Sequence, residues 1–469
     1  MTLAMEKKAM IGLEAHVQLN TETKLFCGCS TKAAAPNSAT CPTCLGMPGS
    51  KPVLNKKAVE FAVRIALAFN CEINRQFFFS RKTYFYPDMA KNYQISQYEM
   101  PVGKNGCVKL KDGKIIGIRR VHLEEDPAAL VHDSGLHASK YSMVDYNRSG
   151  IPLVEIVSEP EIDGPNMARA FLDHLVLALS YLGVFRQGVN TLKADCNVSL
   201  AGGERVEVKN ITGQRAVEKA LEYEIARQAE KTMRGEKIIR ETRGFDEKTL
   251  TTRTLRVKES EEDYGYIFDP DLVMVELAEK EIQEAMASLP ELHDQRAKRF
   301  AKEYALDSYT AEVLAADFAL SNLFQELTAT VQPKLVAAFL TRELSAILNH
   351  DNLLLEDLNL DPNAIAELLK LLEEGKITEK NAKEAMIAFV QKKIRPSDFI
   401  QLHGLLNDMG ERELEIVIER ILKENPMAAD DYRRGEAKAL NFLVGVVMRE
   451  TKGKADPKKV QKTIEERVK

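Results

Sequence analysis

Two segments far apart in the chain carry acids at every second position. Ile11-Gly12-Leu13-Glu14-Ala15-His16-Val17-Gln18-Leu19 alternates apolar and polar residues, the pattern of a half-buried strand. Leu13, Ala15, Val17 and Leu19 share one face; Glu14, His16 and Gln18 share the other. A carboxylate and an imidazole two apart can point together into a polar cleft. The solvated face of an antiparallel sheet shows the same alternation.

The second segment is a hairpin. Asp195, Asn197 and Ser199 alternate with Cys196, Val198 and Leu200, and Arg205, Glu207 and Lys209 alternate with Val206 and Val208. Gly202-Gly203 between them is a turn signal. A two-residue loop pairs Val198 with Glu207 and mixes the faces. A three-residue loop, Ala201–Gly203, pairs Asn197 with Glu207 and Asp195 with Lys209. Register follows the buried face, which favours the second pairing. A third cluster, His122-Leu123-Glu124-Glu125-Asp126, ends a predicted strand. It fits either a loop or a metal site.

Brought into one cleft, these acids suit Mg²⁺, which takes one or two carboxylates plus substrate phosphates. Phosphoryl transfer needs such positioning and charge neutralisation more than covalent chemistry. Local cations are at hand: residues 81–120 hold nine Lys/Arg against three acids, with Tyr84, Phe85, Tyr86, Tyr93 and Tyr98 among them. A basic, aromatic segment can hold a nucleotide or an RNA end; aromatic cross-strand pairs with snorkelling lysines give the same composition. No G-x-x-x-x-G-K-[ST], strand-following G-x-G-x-x-G or G-x-S-x-G occurs, which excludes a P-loop and disfavours a Rossmann site and a hydrolase elbow.

The cysteines give a sharper signal. Cys27-Gly28-Cys29 and Cys41-Pro42-Thr43-Cys44 are two close pairs that can close a tetrahedral zinc site with no open position, hence structural. Cys71, Cys107 and Cys196 lack partners at ligand spacing and read as small buried hydrophobes.

The elements that must position these groups fall into two regimes. Residues 1–293 mix alternating segments with helices and hold all seven cysteines. From Asp294 the pattern is helical, with periodicity over Thr310–Leu327, Lys334–Asn349, Asn363–Glu374 and Thr378–Val390, then Arg412–Glu424, Asp430–Arg434 and Glu436–Thr451. The expected division is 1–293, 294–403 and 404–469, in line with three domains for 469 residues. The fold class is α+β, followed by two all-α domains. Net charge is −5 with 45% hydrophobic and 29% charged residues, which argues against disorder and against a basic nucleic-acid coat. No signal-peptide pattern or membrane-length apolar run is seen, so a cytoplasmic location is expected.

The ordered blocks resemble one family. Besides the segments above, they are Arg81–Asp88 with Asn92–Gln97, Asp145–Leu153, Glu155–Pro160 and Val206–Asn210. The chain is similar throughout to the B subunit of the aspartyl/glutamyl-tRNA amidotransferases, of the three-subunit type. The resemblance implies ATP-dependent activation of Asp or Glu misacylated on tRNA-Asn or tRNA-Gln. Ammonia from glutamine, supplied by an amidase (glutaminase) partner tied on by a small third chain, then completes the amide. It implies a glutamine-synthetase-like cradle and a tRNA-binding tail at 404–469. It further implies Mg²⁺ on Glu14, His16, Glu125, Asp195 and Glu207, with the strand reading leaving Glu124 or Glu125 open. Glu125, Asp195, Glu207 and Lys82 are the implied catalytic groups. Tyr84, Tyr86, Asn147, Arg148 and Lys209 are implied contacts to ATP or the aminoacyl end, and Cys27, Cys29, Cys41 and Cys44 a structural zinc knuckle. Two departures stand out: Lys193 replaces a common Arg, and Asp263-Tyr264-Gly265-Tyr266-Ile267 lacks another.

Overall fold

The structure, a computed structural model, describes residues 9–33, 35–131, 141–200, 203–257, 265–406, 411–451, 455 and 457–468. The hairpin tip Ala201-Gly202, Asp263-Tyr264, Met409, Gly410 and Lys452–Lys454 lie outside the described residues. The chain divides into two compact units, residues 1–292 and 293–469.

The first unit is built on a nine-stranded sheet. Its strands are β1 (Ala9–Gln18), β2 (Glu72–Ile73), β5 (Gly103–Lys109), β6 (Ile115–Glu125), β7 (Pro152–Ser158), β8 (Leu192–Leu200), β9 (Val206–Thr212), β10 (Glu241–Asp246) and β11 (Thr251–Val257). Their order across the sheet is β11-β10-β9-β8-β1-β7-β6-β5-β2. Between β2 and β5 in sequence, β3 (Ser80–Thr83) and β4 (Tyr93–Ser96) form a small second sheet with Ile267–Phe268. All strand pairs in the large sheet are antiparallel except β9 with β10.

Four helices among the described residues complete the unit: α1 (Lys56–Ala68), α2 (Pro165–Tyr181), α3 (Gln214–Met233) and α4 (Glu279–Ala287). Asn55 caps α1, its side chain accepting from the Lys57 and Ala58 N–H groups, which satisfies donors the helix leaves open. Ile11, Leu13, Ala15 and Val17 are fully buried in one apolar core with these helices. At ~1.5–3 kcal/mol for each large side chain buried, slipping β1 by one residue is prohibitive. That burial is what fixes Glu14, His16 and Gln18 on the opposite face.

The hairpin pairs Asn197 with Glu207, in the register expected from the buried face. Beyond that point the ladder differs. A bulge at Asn210, in the left-handed region at φ 58°, interrupts the expected Asp195–Lys209 pair. The extra residue turns the Asn210 N–H onto Asp195 Oδ1 at 2.7 Å.

The second unit is helical, from His293–Glu303 to Pro457–Val468. It contains two separate apolar cores, one spanning Phe300 to Ile400 and one spanning Leu414 to Val468. The predicted Thr310–Leu327 helix is two, Ser308–Ala315 and Phe318–Leu327. Asp317 leaves helical geometry and its side chain caps Leu320 N–H instead. The Lys-rich end forms the further helix Pro457–Val468. Among the described residues no helix is long and apolar enough to cross a membrane.

Candidate functional site

The alternation of β1, β8 and β9 brings Glu14, Asp195 and Glu207 together on one sheet face. One ligand oxygen from each lies within 4.8 Å of the others. Glu14 stands directly opposite Asp195 in the ladder. Each carboxylate has one oxygen held by a neutral donor. The Asn197 amide donates to Glu14 Oε1 at 2.9 Å, the Asn210 N–H to Asp195 Oδ1, and the Thr242 hydroxyl to Glu207 Oε2 at 3.1 Å. Lys209 Nζ lies 3.0 Å from Glu207 Oε1 and 3.7 Å from Asp195 Oδ2. Among the described residues three acids meet one ammonium at ion-pair distance, with the His16 charge a weaker offset on Glu14, which leaves the group under-neutralised. Burial first, then the charges of Glu155 and Asp195, push the Glu14 carboxyl up to about 7.

Oxygens around one Mg²⁺ at about 2.0–2.1 Å stand roughly 3–4 Å apart. An all-oxygen trio of this spread, short of positive charge, fits a hard divalent cation.

A second group lies beside the first. His16 Nε2 is 3.7 Å from Glu124 Oε1 and 3.5 Å from Glu155 Oε2, and His122 Nε2 is 3.2 Å from Glu155 Oε2. Arg120 adds a cation at 3.8 Å from Glu155. Burial opposes the charged form of His16, but Glu155 outweighs it and raises the imidazole to about 10. Burial likewise pushes Glu155 up, yet His122 and His16 hold it well below the carboxylate range. Glu124 is raised by burial and by Glu155. His16, Glu124 and Glu155 form a second possible ligand group.

Glu125 joins neither group. Adjacent residues on a strand face opposite ways, so β6 sends His122 and Glu124 to the His16 face and Glu125 to the other. There Glu125 pairs with Lys91 and accepts from the Ile95 N–H at 2.8 Å. This corrects the placement of Glu125 with Glu14 and His16: the choice the strand pattern left open falls to Glu124.

Other expected residues divide. Lys209 belongs to the trio. Lys82, on β3, directs its charge toward Glu124. Tyr84 and Tyr86 stand 6.0 Å apart by ring centroids, with Tyr86 exposed. Asn147 and Arg148 both hydrogen-bond to backbone. Asn147 accepts from Ala39 N–H and donates to the Ala35 carbonyl, which fastens the loop between the cysteine pairs. Arg148 donates to the Pro127 and Ala128 carbonyls beside Asp126. Their polar groups thus hold backbone in place.

The four cysteines do meet. The sulfurs of Cys27, Cys29, Cys41 and Cys44 lie within 4.8 Å of one another, with Cys41 and Cys44 at 3.9 Å. Four sulfurs around one zinc at ~2.3 Å sit about 3.8 Å apart, so the quartet fits a tetrahedral metal. A hydrogen bond from Cys27, aided by Lys24, lowers Cys44 to about 4. Lys24 is fully buried, with Nζ 3.6 Å from Cys44 Sγ and 3.1 Å from the Tyr146 carbonyl. A cavity of about 70 Å³, lined by Lys24, Cys27, Cys44, Lys91, Tyr93 and Glu125 among others, separates the knuckle from Glu125.

The sequence reading missed Glu155, Lys24, Lys91 and Thr242. Glu155 had a visible signal. It is the lone acid in Pro152–Ser158, a strand buried at every position, and such an acid needs a partner. Thr242 had none.

Comparisons with known proteins agree with this architecture. The family described as the GatB/GatE catalytic domain matches residues 9–283, and the GatB domain matches residues 322–468. The chain is 43% identical to the B subunit of the aspartyl/glutamyl-tRNA(Asn/Gln) amidotransferase of Carboxydothermus hydrogenoformans, covering 99% of each. It is 43% identical to the subunits of the same name from Thermotoga neapolitana, over 98% of this chain and 99% of that one, and Brevibacillus brevis, over 98% of each. Family matches over most of the chain and 43% identity over 99% of it place the chain in the family of aspartyl/glutamyl-tRNA amidotransferase B subunits.

Proposed function

We propose that this chain is the activating and tRNA-binding component of a glutamine-dependent, tRNA-dependent amidotransferase in the cytoplasm. Its substrates are Asp on tRNA-Asn, Glu on tRNA-Gln, or both. A side-chain carboxylate oxygen of the misacylated residue attacks the γ-phosphorus of ATP and ADP leaves. Ammonia then displaces phosphate from the acyl phosphate, and the side-chain amide remains. The ammonia comes from glutamine hydrolysed on an amidase partner, with a small third chain joining the two.

The observation that carries this reading is the under-neutralised trio of Glu14, Asp195 and Glu207. Phosphoryl transfer in a chain without a P-loop requires another place to gather positive charge against phosphate. Glu14, Asp195 and Glu207 would hold Mg²⁺, with His16, Glu124 and Glu155 as the neighbouring group. When bound, Mg²⁺ supplies neutralisation of phosphate charge. Lys209 and Lys82 add cations on the same side, where they orient the phosphates and the aminoacyl end. The exposed Tyr86, with Tyr84, offers ring faces to the nucleotide or the terminal base. The knuckle would take structural Zn²⁺. It orders the 27–44 segment, to which Asn147 is fastened. The last four helices, within 404–469, would hold the tRNA body.

The test is reconstitution with the amidase and small partner chains, ATP, Mg²⁺, glutamine and Asp-tRNA-Asn or Glu-tRNA-Gln. Amide formation is expected with at least one of them. Asp195→Asn is expected to lower the rate about 100-fold. Full activity in that variant would remove the trio from the reaction.

A further inference from the structure

We infer that Thr242 is a positioning residue for the carboxylate trio, acting through Glu207. The inference rests on reading Glu14, Asp195 and Glu207 as a divalent-cation site.

Each acid of the trio has one oxygen tied by a neutral donor and the other left toward its neighbours. For Glu14 and Asp195 that donor comes from the hairpin itself, as the Asn197 amide and the Asn210 N–H. For Glu207 it comes from a different strand. Thr242 on β10 is the direct ladder partner of Glu207 on β9, and it is buried. Its placement therefore depends on how β10 is held.

Parallel pairing is slightly weaker per residue than antiparallel pairing, and β9–β10 is the parallel pair of this sheet. The residues flanking Thr242 supply the missing definition. Glu241 and Arg243 point to the opposite face, beneath α3. There Arg243 meets Glu241 at 3.0 Å, Glu224 at 3.4 Å and the Thr252 hydroxyl at 2.8 Å. Arg227 grips Glu224 at 2.6 Å and Glu241 at 3.3 Å. Apolar residues of similar volume often stabilise as well as a buried ion network. What the ionic partners add is a single register. A slip of one residue would turn Thr242 away from Glu207 and bring Glu241 or Arg243 onto the cation face.

The chemistry of the hydroxyl suits the task. It is a donor without charge, so it fixes one Glu207 oxygen without competing with a cation for the other. Valine has nearly the same shape and lacks the donor.

The experiment titrates Mn²⁺, followed by electron paramagnetic resonance, into the full chain carrying Thr242→Val, Thr242→Ser or Glu207→Gln. Thermal unfolding is recorded alongside to confirm that each variant is folded. Thr242→Val is expected to bind Mn²⁺ about ten-fold more weakly, and Thr242→Ser to bind close to wild type. Wild-type affinity in Thr242→Val, with Glu207→Gln weakened, overturns the role of Thr242 and leaves the cation site standing. Equal weakening in Thr242→Ser and Thr242→Val also overturns it, since packing rather than the hydroxyl would then be responsible. Wild-type affinity in Glu207→Gln as well overturns the cation site itself.

Discussion

Two clusters of charge lie on opposite faces of the same sheet, and they are built differently. Beneath α3, Glu224 and Glu241 face Arg227 and Arg243, two acids against two guanidiniums, with the Thr252 and Thr254 hydroxyls donating to the acids. On the other face, among the described residues, the trio of Glu14, Asp195 and Glu207 has one ammonium at ion-pair distance, that of Lys209 against Asp195 and Glu207. The first cluster satisfies itself; the second is short of positive charge. Density of charge is therefore a poor mark of a functional site. Lack of compensation, maintained by neutral donors that fix geometry without cancelling charge, is the better one.

This contrast can be broken by exchanging the roles. Glu224→Ala leaves the buried Arg243 and the half-buried Arg227 with Glu241 as their remaining acid and should cost about 3–5 kcal/mol of folding stability, measured by urea unfolding. A loss below ~1 kcal/mol would mean that the network is not structural. On the other face, Asp195→Asn should leave the unfolding midpoint near wild type while amide formation falls about 100-fold. A folding defect as large as that of Glu224→Ala would erase the distinction.

The cysteine quartet is a third cluster and sharpens the comparison, because its four sulfurs already lie within 4.8 Å of one another, a spread that a tetrahedral zinc can span. Purified protein should carry close to one zinc per chain by metal analysis, and Cys41→Ser should lose it. Folded protein without zinc would count against a structural knuckle.

The smallest effect expected is one of stability against pH. Glu14 at about 7 lies above an unfolded glutamate at ~4.3, so the unfolded state gives up its proton first. The folded state then loses stability as pH rises from about 4.3 to 7. In protein stripped of divalent cations, thermal stability should increase as pH falls from about 7 to 5, and Glu14→Gln should flatten that slope. Glu241 has the opposite sign. Burial alone would raise it, but Thr254 and Arg243 hold it below the usual range. Its contribution is thus present at neutral pH and is lost only in acid, below the range of an ordinary glutamate. A Glu14→Gln variant with the wild-type pH slope would show that the trio is not strained.

Much of this was legible in the chain because strand alternation is a rigid code. Leu13, Ala15 and Val17 fixed the face of Glu14, and the buried face of the hairpin fixed Asn197 opposite Glu207. The choice between Glu124 and Glu125 was left open by the strand pattern and given to Glu125 by the resemblance; the ladder and contacts of the folded strand put Glu124 with His16. What lay beyond reach was longer-range. The Asn210 bulge adds one residue to a strand and carries no strong local signal. Thr242 reaches Glu207 only because α3 returns the chain to a parallel neighbour. In the helical unit, periodicity ran across Ala316-Asp317, where a single capping side chain outweighed it.

The most direct measurement is Mn²⁺ binding to the wild-type chain and to Asp195→Asn, followed by electron paramagnetic resonance under conditions where both are folded. If the trio holds the cation, the wild type binds Mn²⁺ and Asp195→Asn binds it at least about ten-fold more weakly. Equal affinity in the two proteins would contradict a cation site at Glu14, Asp195 and Glu207.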